Sequence, residues 1–274
     1  MSIRIAGVTG LPEIGAGDDL AALIRGATQW GGPPGPQPTP PSVSLARTQR
    51  PARGPAADQG VRPTVDGDTI VVIAQKIVSK AEGSVVDLRS ITPSELARSW
   101  SARYGKDPRL IELVLRESRR IVRMDRGVLI AETRHGFITA NAGVDQSNVP
   151  GEHFATTLPV DPDASAGRIR EALGCGAVIV SDTFGRPWRE GLVNVAIGVS
   201  GLDPIQDLRG CRDRHGRALH STTLAIADEL AAAAGLVMPK SAGVPVALIT
   251  GYDWNRGEGS ARKLLRPAEQ DLFR

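Results

Sequence analysis

Asp145 and Asn148 stand three apart in a run of small and polar residues that also holds Asn141, Gly143 and Ser147. The apolar stretch Gly127 to Ala131 leads towards it. The cluster therefore reads as the end of a strand, where side-chain oxygens gather and backbone groups are free to meet a ligand. An ordinary polar turn has the same make-up. A second apolar run, Val178 to Val180, gives way to Ser181, Asp182 and Thr183. Two strand-end carboxylates, each beside hydroxyl or amide oxygens, suit a hard divalent cation such as Mg²⁺ or Mn²⁺. Asp182 and Thr183 place an anionic and a neutral oxygen at adjacent positions, a pair that can serve two ions. A third buried-looking strand ends at Ala74 and is followed by Lys76, Ser79 and Lys80. Ammonium and hydroxyl groups there are placed to meet phosphate oxygens, and they read equally well as plain solvated residues.

The elements that must position these groups follow from local pattern. Ile3 to Val8 alternates as a strand, and Asp18 and Asp19 open a helix through about Thr28. Thr92-Pro-Ser-Glu95 reads as a capping box for a helix to about Tyr104, and Asp107-Pro108 opens another. Arg119 to Val122 and Gly127 to Ala131 form a strand pair. Ala166 to Leu173 is expected to be helical, Leu192 to Val199 a strand, and Val244 to Ile249 the last strand. Ser221 is expected to cap a long alanine-rich helix reaching about Gly235. Residues 31–65 change composition abruptly to Pro, Gly, Ser and Arg, which cannot build a packed core and read as an insertion in one domain spanning 1–274. His135, a lone histidine before the glycine of the central motif, reads as structural.

A chain of 274 residues with 41% hydrophobic and 23% charged residues can bury a substantial core. Only 4% is aromatic, so that core must be mostly Ala, Val, Leu and Ile. A net charge of +3, carried on scattered arginines, is weak support for a nucleic-acid partner. Cys175 and Cys211 make neither a metal spacing nor a disulfide framework. With no basic leader and no apolar run long enough to span a bilayer, a soluble cytoplasmic protein is expected. Neither a Walker loop, a dinucleotide fingerprint nor a His/Cys zinc constellation is present.

Three segments, "HGFITANAGVDQSNV", "SDTFGRPWREGLVNVAIGVSGL" and "DLRGCRDRHGRALHSTTLAIADELAAAAGLV", resemble the coenzyme F420-0:L-glutamate ligase family. The likeness resumes in "GLPEIGAGDDLAALI" and "RPAEQDLFR" and covers nearly the whole chain outside 31–65. It implies an α+β fold of mixed β-sheets with flanking helices, in an intertwined homodimer; element order alone leaves a doubly wound α/β sheet open. The activity it implies is GTP-dependent addition of L-glutamate to F420-0, then of γ-linked glutamate to F420-1, through an acyl phosphate.

On this resemblance Asp145, Asp182 and Thr183 hold Mg²⁺ or Mn²⁺, with up to two ions and K⁺ as a further candidate. Leu11, Pro12, Glu13, Ile14, Lys80, Asn148, Met238, Lys240 and Ser241 would meet the nucleotide. Gln75 stands where the family often has a serine, and Lys240 where some members have a metal ligand, which a cation cannot be. Arg186 and Arg189, beside the second carboxylate, would meet an acidic substrate or be salt-bridged to neighbours. Asp145, Asp182 and Lys80 are the residues on which turnover would depend. The same carboxylates would also serve a metal-dependent phosphatase or nucleotidase. A nucleotide- or RNA-binding module without catalysis ranks last, because the polar clusters lie at strand ends and not along a basic face.

Overall fold

The computed structural model describes residues 2–29 and 64–272; nearly all of the Pro/Gly/Arg-rich stretch expected at 31–65 lies outside them. Its central sheet has five strands: β1 (Arg4–Val8), β2 (Ile70–Ala74), β8 (Ala177–Arg186), β9 (Arg189–Ser200) and β12 (Val246–Thr250). Their order is β1-β12-β2-β8-β9. Every neighbouring pair is antiparallel except β2 and β8, which run parallel in register from Ile70 opposite Ala177 to Ala74 opposite Ser181. The sheet is thus mixed, in agreement with an α+β fold and not with a doubly wound parallel sheet.

Ile70 to Ile73, Val178 to Val180 and Val246 to Ile249 are all buried without alternation. That is the mark of strands covered on both faces. The covers are helices α1 (Leu20–Gln29), α5 (Pro162–Leu173) and α6 (Ile226–Gly235), which share one apolar cluster with the sheet. Asp161 caps α5 by accepting from the Ala164 amide, and Gly174 closes it in a left-handed conformation.

The long excursion between β2 and β8 folds around a second apolar cluster of Leu88, Trp100, Ile111, Leu113, Val114, Leu129 and Ala131. After α2 (Gln75–Ala81), which packs Ile77 and Val78 into the first cluster, it comprises β3 (Val85–Asp87), α3 (Glu95–Tyr104), α4 (Pro108–Glu117), β4 (Ser118–Asp125), β5 (Val128–Thr133), β6 (Ile138–Ala140) and β7 (Phe154–Thr156), before α5 returns the chain to the central sheet. Strands β4, β5 and β6 form an antiparallel sheet, and β3 pairs with β7. A short ladder of β10 (Gln206–Asp207) and β11 (Thr223–Leu224) precedes α6.

Local chemistry shifted several boundaries. The cap of α3 is Ser94, not Thr92: its hydroxyl accepts from the Ala97 amide, while its own amide donates to Glu112 on α4. Ser221 caps nothing, because α6 starts five residues later behind Ala225, with no side-chain cap. The residues after β2, read as a polar segment, form α2. His135 is structural, its Nε2 against the Pro159 and Val160 carbonyls and its ring stacked on Phe137.

Candidate active site

β2 ends at Ala74 and α2 begins at the next residue, so the first turn of α2 stands over the end of the sheet. Lys76 and Lys80, four apart, fall on one helix face. Gln75 is buried at the start of the helix, its amide oxygen accepting from the Ser79 hydroxyl at 2.8 Å. Lys80 is buried as well, and its ammonium pairs with the exposed Glu13 carboxylate.

Asp145 is delivered by an unusual stretch of backbone. Asn141, Ala142 and Gly143 lie consecutively in the left-handed region, at φ of 53°, 51° and 75°. Two non-glycine residues in that region are uncommon, and such strain collects at functional sites. The chain then pairs Asp145 with Thr156 through two backbone hydrogen bonds, of 3.1 and 2.8 Å. The carboxylate accepts from the Ser147 amide at 2.8 Å, the Ser147 hydroxyl at 2.9 Å and Lys76 Nζ at 2.7 Å. Burial alone would raise its pKa, but these donors prevail and hold it below the usual carboxylate range.

Asp182 does not end its strand, as the sequence suggested; β8 runs on to Arg186. What ends is β2. Its last partner is Ser181, so from Asp182 onward β8 pairs only with β9 and its free edge opens onto the cavity. Burial pushes Asp182 up to about 6; the Thr183 amide opposes this, the charge of Asp145 adds to it, and Lys76 and Lys240 pull the other way. Thr183 donates its hydroxyl proton to Asn194 Oδ1, 2.9 Å across the β8–β9 ladder, which leaves its oxygen lone pairs available. The Asn194 amide lies over α6, where a Cβ on Gly235 would come within 2.9 Å of its Nδ2 and displace that side-chain end.

These groups converge. One cavity of about 560 Å³ is lined by Leu11 to Ile14, Gln75, Lys76, Lys80, Asp145, Ser147, Asn148, Asp182, Thr183 and Asn194, and by the loop carrying Met238, Lys240 and Ser241. Arg186 and Arg189 do not line it. They face each other at the tip of the β8–β9 hairpin, where Arg186 donates to the Glu190 and Gly191 carbonyls. Ser147 and Asn194 had no individual role assigned from sequence, and Lys76 was read with Lys80 as placed to meet phosphate or as plainly solvated, not as a partner of Asp145. The i, i+4 spacing to Lys80 would have pointed to Lys76 once α2 was recognised. Asn194 required the hairpin register.

A divalent ion fits this donor set. Asp145 already binds a cationic group, and Asp182 is a second carboxylate on the same cavity, with no hydrogen-bonded cation of its own among the described residues. Among the described residues no cluster of three or more His, Cys, Asp or Glu side chains is placed to hold a metal. Phosphate oxygens and water would complete the shell, as is usual for Mg²⁺ beside a nucleotide.

Comparison with known proteins identifies the family. The family described as F420-0:Gamma-glutamyl ligase matches residues 56–251. A coenzyme F420:L-glutamate ligase of Methanothermobacter thermautotrophicus is 47% identical, with 100% of both chains covered. Its counterpart in Methanocaldococcus jannaschii is 44% identical over 77% of this chain and 86% of its own. That of Natronomonas pharaonis is 38% identical over 97% and 93%. The chain belongs to the F420-0:gamma-glutamyl ligase family.

Proposed function

We propose that this protein joins L-glutamate to F420-0, and further γ-linked glutamates to F420-1, at the expense of GTP. The observation that carries the reading is the meeting of Asp145 and Asp182, from segments far apart in the chain, in one cavity with Lys76, Lys80 and Asn148. A carboxylate resists amines because its leaving group would be oxide. Transfer of the γ-phosphoryl group of GTP to the carboxylate gives an acyl phosphate and GDP. The glutamate α-amino group then attacks the acyl carbon, and phosphate leaves with the bonding pair.

The protein's part is positioning and charge. Asp145, Asp182 and Thr183 would hold Mg²⁺ or Mn²⁺, which when bound supplies positive charge against the phosphates. Lys80, fixed by burial and by Glu13, neutralises the transferred group. Asn148, the segment Leu11 to Ile14 and the loop with Met238, Lys240 and Ser241 surround the nucleotide, with Gln75 beneath it. In the single chain Arg186 and Arg189 stand apart from the cavity. Their hairpin also projects Trp188 and Leu192, 80% and 63% exposed, as a surface for a second copy in a homodimer. Among the described residues no helix is long and apolar enough to cross a membrane, and the reaction is proposed for the cytoplasm.

The test is to incubate the purified protein with F420-0, GTP, Mn²⁺ and L-glutamate and follow products by mass spectrometry. Glutamate additions with GDP release that needs both acceptor and glutamate are expected, and Asp145→Ala abolishes them. GTP hydrolysis without either substrate would favour a phosphatase, and full activity in Asp145→Ala would reject the assignment.

A further inference from the structure

Beside the cavity with the two aspartates lies a second, of about 660 Å³, and the two share a wall: Glu13, Ile14, Lys80 and Asn148 line both. The remainder of the second is Gly15, Ala16, Val85, Val149 and Pro150. The two spaces differ in chemistry. The first is rich in carboxylates, ammoniums and amides. In the second, the charged side chains are Glu13 and Lys80, both on the shared wall. Walls of this kind suit a weakly polar flat ring, with a charged arm reaching towards the boundary.

Lys80 is the buried charged group at that boundary. Phosphoryl transfer requires donor and acceptor to approach the transferred group from opposite sides, roughly in line. Two cavities that meet at one buried ammonium can bring two reactants, one in each, to the same group. The nucleotide belongs in the first, whose apolar wall of Leu11, Pro12, Met238, Val244 and Pro245 can hold a base near the groups for its phosphates.

We infer that the second cavity seats the acceptor, a planar ring bearing a carboxylate arm, with the ring against Ala16, Val85, Val149 and Pro150 and the carboxylate directed at Lys80. The inference rests on the ligase reading and adds the place where the second substrate binds. In the transfer, an acceptor carboxylate oxygen forms the new bond to the γ-phosphorus. The bond from that phosphorus to the bridging oxygen breaks, its electron pair leaving with GDP, and no proton moves. Lys80 lies where the charge shifts from one reactant to the other.

The full-length protein is tested as Ala16→Trp, on an exposed loop, and as Val149→Trp, each filling the second cavity from a different side. KM for F420-0 is measured in the glutamate-addition assay, and the affinity of a fluorescent GTP analogue by titration. The expected result is a rise in acceptor KM of about tenfold or more, with nucleotide affinity within about twofold of wild type, which also reports an intact fold. Unchanged acceptor KM in both variants overturns the inference, as does a loss of nucleotide affinity with acceptor KM retained, which would place the base there. If wild type itself adds no glutamate, the ligase reading fails and this inference with it. If wild type adds glutamate and the variants keep their acceptor KM, only the inference fails.

Discussion

The ammonium of Lys76 lies 2.7 Å from Asp145 Oδ2 and donates to the Ser147 carbonyl at 2.8 Å, so a lysine charge sits against the carboxylate proposed to bind a metal. An ammonium and a divalent ion compete for that oxygen. Lys76→Met is therefore expected to tighten Mn²⁺ binding by about tenfold, a modest fraction of the interaction between unit charges at this separation. It should also lower turnover, because a positive charge near the phosphates is lost. Mn²⁺ titration followed by electron paramagnetic resonance measures the first effect independently of activity. Equal or weaker binding in the variant would mean that Lys76 supports the site and does not compete for it.

Asp182 sets a pH dependence. Its folded value of about 6 lies above an ordinary value of 3.8, so the fold favours the neutral acid. The associated stability is fully present below about pH 4 and is lost as pH rises through 6. Asp182→Asn should therefore raise the melting temperature of the ion-free protein at pH 7.5 by a few degrees, an effect limited by the solvent that reaches this half-buried group, and leave it little changed at pH 4. Mn²⁺ affinity in wild type should fall as pH drops below about 6, where protons occupy the carboxylate. Thermal melts and Mn²⁺ titrations across pH 4–8 check both signs.

Gly143 has φ of 75°, and a Cβ there would lie 2.6 Å from Leu158 Cγ, in the turn that delivers Asp145. Gly143→Ala combines backbone strain with overpacking and should cost about 2 kcal/mol or more. Urea denaturation would show the lower midpoint. An unchanged midpoint would mean that Leu158 yields freely.

The two thiols should differ. Burial pushes Cys175 up to about 11, whereas Cys211 is exposed. Native protein at pH 8 is expected to release one equivalent of chromophore from a disulfide reagent promptly, and two after unfolding.

Much of the fold was legible in the sequence because its signals are local. The apolar runs at Ile70, Val178 and Val246 and the Asp-Pro pair opening α4 declare themselves within a few residues, whereas α5 starts at Pro162, four residues before the expected Ala166. Asp145, Asp182 and Lys80 were visible as residue types beside a strand, and the family likeness pointed to Leu11 to Ile14 and the Met238 loop, which line the same cavity. What was not legible depends on partners distant in the chain. Asp182 looked like a strand end because nothing local says that its neighbour β2 stops first. The Asn194 bond to Thr183 needs the hairpin register, and the Lys76 bond to Asp145 spans 69 residues. Ser94 displaced Thr92 as a helix cap because α4 supplies Glu112, which capping rules for a single helix do not include.

The parallel pairing of β2 with β8 has a consequence for how this chain tolerates change. Five matched residues carry the whole alignment of Lys76 and Lys80 with Asp182, and a slip of one would turn Asp182 to the opposite face of the sheet. That alignment is enforced from the sides, by β8 and β12, and from the turn ahead of β2, where the Asp66 and Thr69 carbonyls accept from the Gly176 amide that leads into β8. A single deletion inside β2, or in the turn from Asp66 to Thr69 that ties it to β8, would therefore unseat Lys76 and Lys80 from Asp182.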